Sequence, residues 1–363
     1  MTQRERQLLN WIEENPLISQ QELAEKAGIT RSSVAVHISN LMKKGCIAGK
    51  GYIVRTAPYA AVVGGVNMDI GGWPAEIPVA RDSNPGRVRM SLGGVGRNMA
   101  HNMALMGLDV RLVTVFGDDL NARKIAAGCA EVGIDVSQSP FLPGEHTSTY
   151  LFITDEGGDM TLAVSDMEIY QRLTPQFLAQ RQKLLDGAQV VVADTNPPAE
   201  ALAYLADHCA APIFCDPVST AKAEKLRPIL GKLHTLKPNR IEAELLSGVE
   251  IRDEKSLRRA ADALLETGLR RVFISLGSDG VFAADHHAAV QLPVFPGAMV
   301  NTTGCGDAFM AAITWAYLRG SDLEETARLG LAASSIAMES GETINPAMQA
   351  DELCRRAGVC KAL

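Results

Sequence analysis

The chain contains no uninterrupted apolar run approaching the roughly 18 residues that a membrane helix needs, and Met1 to Arg6 lack the apolar core of a signal peptide. These absences exclude a membrane-embedded class and make the cytoplasm the expected compartment. Cysteine is sparse: the seven residues, at positions 46, 129, 209, 215, 305, 354 and 360, are odd in number and never in C-x-x-C spacing. A disulfide framework and a zinc site are thereby excluded, and reduced thiols are expected. The chain also lacks an internal repeat, a low-complexity stretch and a G-x-G-x-x-G after its first strand-like run, so a dinucleotide-binding loop is not expected.

What is present is a chain of 363 residues, 47% hydrophobic and 21% charged, enough for one large domain and a small one. Its net charge of -7 is uneven, with eight Lys/Arg and five Asp/Glu in residues 1–56, leaving -10 for the rest. A small basic head on an acidic body suggests two tasks.

In the head, Leu8, Leu9, Trp11 and Ile12 stand at helical spacing before Pro16, and Ser19-Gln20-Gln21-Glu22 reads as a capping box opening a helix that Gly28 stops. Thr30 caps a third helix, 31–44, with Val34, Ile38 and Leu41 facing inward, and residues 46–54 read as a small hairpin. The pattern resembles a winged helix-turn-helix. The resemblance implies DNA as a partner, with Arg31, Ser32, Ser33, Val36, His37 and Asn40 toward a major groove and Lys43, Lys44, Lys50 and Arg55 on phosphates. An oligomerisation module fits the same spacing. A homodimer is expected, because it doubles a charge of +3 that is small for a monomer on DNA.

From residue 57 to 363 the grammar changes. Short apolar runs at 60–63, 110–115, 190–193, 212–215 and 271–275 alternate with helical segments, which predicts a mostly parallel sheet covered on both faces, with sites at the strands' carboxyl ends. Residues 70–92 and 147–164, the latter turning at Glu156-Gly157-Gly158-Asp159, predict antiparallel strands projecting from that sheet as a lid.

Chemistry concentrates in Asn301-Thr302-Thr303-Gly304-Cys305-Gly306-Asp307, which leads into an apolar helical stretch. Two glycines let the amides of a helix's first turn converge on an anion such as phosphate, and Asp307 stands where a carboxylate could accept a hydroxyl proton. A plain turn and helix cap accounts for the same residues. Two glycine clusters, Gly64-Gly65-Val66-Asn67-Met68-Asp69 and Gly93-Gly94-Val95-Gly96-Arg97-Asn98, offer amides and one carboxylate suited to the vicinal hydroxyls of a sugar.

Together with Lys237-Pro238-Asn239-Arg240-Ile241-Glu242 and Ser275-Leu276-Gly277-Ser278-Asp279-Gly280, these motifs, in this order over residues 59–350, resemble the ribokinase or PfkB family of carbohydrate and nucleoside kinases. The resemblance implies an α/β, ribokinase-like doubly wound sheet with a small β lid, and ATP and Mg2+ as cofactors. It gives Asp307 as the base and Gly304, Cys305 and Gly306 as donors to the transferred phosphoryl. Asn67, Asp69, Gly93, Gly94 and Asn98 would hold the sugar, Asn239 and Glu242 would organise Mg2+ and its waters, and Ser275, Gly277 and Gly280 would border the nucleotide. Asn301 stands where the family carries an aspartate associated with a monovalent-cation site, which puts K+ dependence in question. Cys305 replaces an alanine; it is either an oxidisable thiol acidified by the helix start or an inert small residue.

Val95 stands where a ribokinase-like pattern has lysine, and the run Gly93 to Asn98 with Asp216-Pro217-Val218-Ser219-Thr220 looks most like the pseudouridine kinase branch. That branch implies phosphorylation of a nucleoside's 5′-hydroxyl, with Asp166 accepting an N-H from the base or serving only as a cap, and Lys222 at the pocket mouth or on the surface. Another nucleoside or sugar, such as uridine, cytidine, inosine or ribose, and a transcription regulator that senses its ligand through a kinase-like body remain the alternatives.

Overall fold

The computed structural model describes residues 1–49, 58–155 and 160–359 in two compact units, Met1–Pro58 and Tyr59–Leu363. The turn read at 156–159, most of the hairpin read at 46–54, Lys50, Arg55 and Cys360 lie outside the described residues.

The first unit has three helices, Gln3–Glu14, Gln20–Ala27 and Arg31–Lys43. Capping boxes Thr2/Glu5 and Ser19/Glu22 open the first two, and the Thr30 hydroxyl accepts the Ser33 N-H to open the third. Leu8, Ile12, Leu23, Val34, Ile38 and Leu41 form its own buried core. Arg31, Ser32, Ser33 and Val36 are exposed on the third helix. Lys44 is committed to an ion pair, Nζ to Glu5 Oε2 at 2.6 Å, which holds the Glu5 carboxyl well below its usual range, at about 2.

The second unit is built on an eight-stranded sheet. In spatial order its strands are Ala289–Leu292, Val281–Asp285, Arg271–Ser275, Thr235–Leu236, Ile213–Asp216, Val190–Asp194, Tyr59–Val63 and Asp109–Val113. The last six run parallel and the first two add antiparallel edges. Ala60, Val62, Val190 and Val192 enter the core on one face, whereas Ala61, Val63, Val191 and Ala193 enter the core on the other. Burial on both sides is why these strands read as continuous apolar runs. Helix Cys305–Leu318 is buried all round from Ala308 to Ala316, which fixes its N-terminus firmly.

A separate four-stranded sheet, ordered Gly86–Gly93, Asn67–Pro74, Thr149–Thr154 and Met160–Asp166, forms the expected small β element. Its two hairpin pairings are antiparallel, but Asn67–Pro74 and Thr149–Thr154 run parallel at its centre.

Candidate active site

Gly304 adopts φ +83°, and a Cβ there would stand 2.5 Å from the Thr343 carbonyl oxygen, so only glycine makes this turn without displacement. The helix begins at Cys305, leaving the amides of Gly306 and Asp307 in a first turn with no preceding helical carbonyl to accept them. Lys237 supplies charge at the same place: a Cβ on Gly306 would lie 3.3 Å from its Nζ. That ammonium is 3.0 Å from Asp216 Oδ2, with both side chains 8% exposed. Burial acts to lower the Lys237 pKa, but the Asp216 carboxylate outweighs it and the lysine stays charged.

Asp307 is joined to the glycine loops by Asn98, whose Nδ2 donates to Asp307 Oδ2 at 2.9 Å. Burial, reinforced by Asp216, pushes the Asp307 carboxyl up to about 8, against the pull of Asn98 and Lys237. A carboxyl whose pKa is raised in this way is tuned toward taking a proton near neutral pH.

Of the residues expected to hold a sugar, Asn67, Asp69 and Gly93 lie on one face of the small sheet. Asn67 Nδ2 donates to Asp69 Oδ1, and Gly93, paired in register with Asn67, leaves the space that the Asp69 carboxylate fills. Burial raises the Asp69 pKa to about 6, with Asn67 and the nearby Arg97 guanidinium acting in the opposite direction. Gly94, at φ +98°, lets the two loops meet, since a Cβ would stand 2.5 Å from the Gly65 carbonyl oxygen.

Asp194, fully buried at the end of its strand, clamps both loops. Its Oδ2 accepts N-H groups from Gly65 and Gly96, each at 2.8 Å, while its Oδ1 accepts that of Asn196 at 2.8 Å. Asp194→Asn should destabilise the protein by about 1–3 kcal/mol, because one oxygen becomes a donor facing donors. Urea unfolding measures this, and an unchanged midpoint would show that the clamp carries no energy.

Among the residues expected to border the nucleotide, Asn239 forms a bridge with Ser275, and the Ser275 N-H donates to the Pro238 carbonyl at 2.9 Å. Gly277 and Gly280 take positive φ, +61° and +91°. Asn239 Oδ1 accepts the Glu242 N-H at 2.9 Å and Glu242 Oε2 accepts the Asn239 N-H at 2.8 Å, a reciprocal helix cap. Glu242 is otherwise buried, and burial followed by Asp216 raises its pKa. Crowded carboxylates of this kind suit a divalent cation. Among the described residues there is no group of three or more His, Cys, Asp or Glu side chains placed to hold a metal ion.

Burial and Asp307 push the Cys305 thiol up to about 11, the direction opposite to acidification by the helix start. Asn301 Oδ1 accepts the Thr303 N-H at 3.0 Å. Asp166 requires a correction. It pairs with Thr149, which pairs with Met68, whereas Asp69 aligns with Tyr150 and Ser165. Strand alternation therefore puts Asp166 on the face opposite Asn67 and Asp69.

Sequence reasoning gave no role to Lys237, Asp194 or Asp216. The signal for the two aspartates was available: each ends a buried apolar strand at its carboxyl end.

Residues 57–350 match the model of the pfkB family carbohydrate kinases, and residues 1–48 match one described as winged helix-turn-helix DNA-binding. The chain is 40% identical over 356 residues to the uncharacterized sugar kinase YeiI of Escherichia coli K12, covering 97% of this chain and 98% of that one. It is 37% identical over 296 residues to the pseudouridine kinase of the same organism, covering 81% and 94% respectively. Among solved structures, a carbohydrate kinase from Agrobacterium tumefaciens superposes with a TM-score of 0.73 at 26% identity, over 84% of this chain and 98% of that one. Arabidopsis thaliana ribokinase complexed with ribose and ATP superposes with a TM-score of 0.75 at 21% identity, over 84% and 100%.

Proposed function

Because the chain belongs to the pfkB family of carbohydrate kinases, we propose that it transfers the terminal phosphoryl group of ATP to the primary 5′-hydroxyl of a nucleoside, with pseudouridine as the acceptor. The observation that carries this reading is the Asn98–Asp307 hydrogen bond, which joins a sugar-binding loop to a base at a helix N-terminus. Asn67, Asp69, Gly93, Gly94 and Asn98 orient the ribose so that its primary alcohol reaches Asp307. Asp307 takes the hydroxyl proton as the oxygen attacks. The Gly304 and Gly306 amides and the Lys237 ammonium stabilise charge on the moving phosphoryl group, whereas the Cys305 N-H already donates to the Thr302 carbonyl at 3.4 Å. Asn239 and Glu242 would hold Mg2+ through its waters, and that ion supplies charge neutralisation on the phosphates. Ser275, Gly277 and Gly280 border the nucleotide. Likeness to a pseudouridine kinase supports this choice of acceptor. An ATP-consumption screen across pseudouridine, uridine, cytidine, inosine, adenosine, ribose and fructose 6-phosphate tests it. Preference for a bare sugar would reject the nucleoside, and no turnover with any acceptor would reject the kinase.

Residues 1–56 act in this account as a DNA-binding unit through Arg31, Ser32, Ser33, His37 and Lys43, with Lys44 held back by Glu5. Binding to duplex DNA should weaken at least about tenfold between 50 and 200 mM salt, since phosphate contacts release counterions. Affinity independent of salt would make the unit an oligomerisation module.

The exposed side chains Val88, Met90, Leu151, Leu162 and Val164 lie together on the face of the small sheet opposite Asp69, with Asp166 at one end of it. A second copy offering the same face by two-fold symmetry would cover it. Leu162→Glu should therefore halve the mass seen by analytical ultracentrifugation; a monomeric parent protein would refute this dimer.

A further inference from the structure

The Asp69 face of the small sheet also carries an aromatic row. Tyr150 is the register neighbour of Asp69, Phe152 that of Gly71, and Trp73 follows two residues after Gly71 on the same side. The Tyr150 and Phe152 ring centroids are 5.9 Å apart, and those of Phe152 and Trp73 are 5.6 Å apart and edge-on. A Cβ on Gly71 would come 2.6 Å from the Phe152 ring, so glycine there makes room for the row. None of these rings is needed for the large core, and all three are only half-buried.

On the other flank of the same strand start stands Lys222. Its Nζ donates to Asn196 Oδ1 at 2.6 Å and approaches Met167 Sδ at 3.3 Å. Asn196 itself abuts the sugar loop, since a Cβ on Gly65 would lie 2.6 Å from its Nδ2. Lys222 is thus a half-buried ammonium held by an amide oxygen and a thioether, and a thioether is a poor acceptor. Among the described residues it forms no ion pair with a carboxylate, so a third N-H is available to a stronger oxygen.

The geometry points to a nucleobase subsite with two walls, the Tyr150–Phe152 aromatic row that stacks a flat ring and the Lys222 ammonium that donates to a carbonyl oxygen on that ring's edge. Both walls flank residues 65–69, where the sugar sits, and this assignment rests on the nucleoside-kinase reading. A donor-only cation is better matched by an exocyclic carbonyl oxygen, as on uracil-type bases, than by adenine, whose only acceptors are ring nitrogens. Aromatic stacking is tolerant of base identity, because every base has a π-face. Selectivity for the carbonyl therefore falls to Lys222, and the preference for a nucleoside over a bare sugar is shared.

The test is calorimetric binding of pseudouridine, adenosine and ribose, without ATP, to the full chain and to Lys222→Met and Tyr150→Leu. Lys222→Met should lower the pseudouridine-to-ribose affinity ratio about tenfold, the effect of one charge-assisted hydrogen bond, and the adenosine-to-ribose ratio less than about twofold. Tyr150→Leu should lower both ratios at least about fivefold. Ratios unchanged in either variant, or a parent protein that binds pseudouridine no better than ribose, would overturn the subsite. Because binding is read without turnover, tight pseudouridine binding lost in both variants but accompanied by no phosphate transfer would sustain the subsite and sink the kinase.

Discussion

Asp307→Asn is expected to lower kcat by about 10²- to 10⁴-fold, the usual contribution of a positioned general base, while KM for the nucleoside moves less than about threefold. The replacement keeps size and shape, and its amide oxygen still accepts from Asn98 Nδ2, so the substrate loops stay anchored. What disappears is the proton acceptor. The pH profile gives a second reading of the same residue. With its carboxyl pushed up to about 8 by burial and Asp216, the ionised fraction falls tenfold per unit below that value. The kcat/KM of the parent protein should follow it down on the acid side. For stability the sign is the opposite one. A folded-state pKa above the unfolded value favours the folded protein below about 4, and that benefit is lost as pH rises through about 8. Above pH 8 the variant should be at least as resistant to heat as its parent, because it no longer buries that charge. A kcat within tenfold of the parent would remove Asp307 from the chemistry.

The second large effect is expected at Lys237. Lys237→Met breaks a buried ion pair of 3.0 Å and strands Asp216 beside Asp307 and Glu242, all of which face the lysine electrostatically. Removing one partner of such a pair costs about 3–5 kcal/mol. Urea unfolding should show a loss of that size. Adding Asp216→Asn to the same chain should recover part of it, because no unpaired carboxylate then remains at that spot. Activity should fall in both variants, since the ammonium next to Gly306 is absent from each. If Lys237→Met unfolds within about 1 kcal/mol of the parent, the pair is solvated and its role at the anion site fails with it.

Much of this was legible in the sequence because burial and turn chemistry leave local marks. The apolar runs at 190–193 and 271–275 became strands almost to the residue, and Ser19/Glu22 became the capping box that its spacing announced. Gly304 read correctly as the turn before a helix because a positive φ needs glycine. Long-range relations left weaker marks. Nothing local tells that Asp194 reaches amides 98 and 129 positions away, or that Lys237 lies beside Gly306. Thr235–Leu236 is too short to show a period, so the strand that places Lys237 was invisible. Asp166 was misplaced for a related reason: a shift of one residue along a strand changes the face, and only the register with Thr149 and Met68 fixes it.

Under the proposed function one oxygen, the primary alcohol of a ribose, receives the phosphate. The most direct measurement is phosphorus NMR of the product formed from ATP, Mg2+ and pseudouridine. A monoester signal split by the two 5′-methylene protons is the predicted result. A phosphate on a secondary hydroxyl, or ATP left intact in the presence of every nucleoside tried, would contradict the assignment of Asp307 and its glycine turn to this transfer.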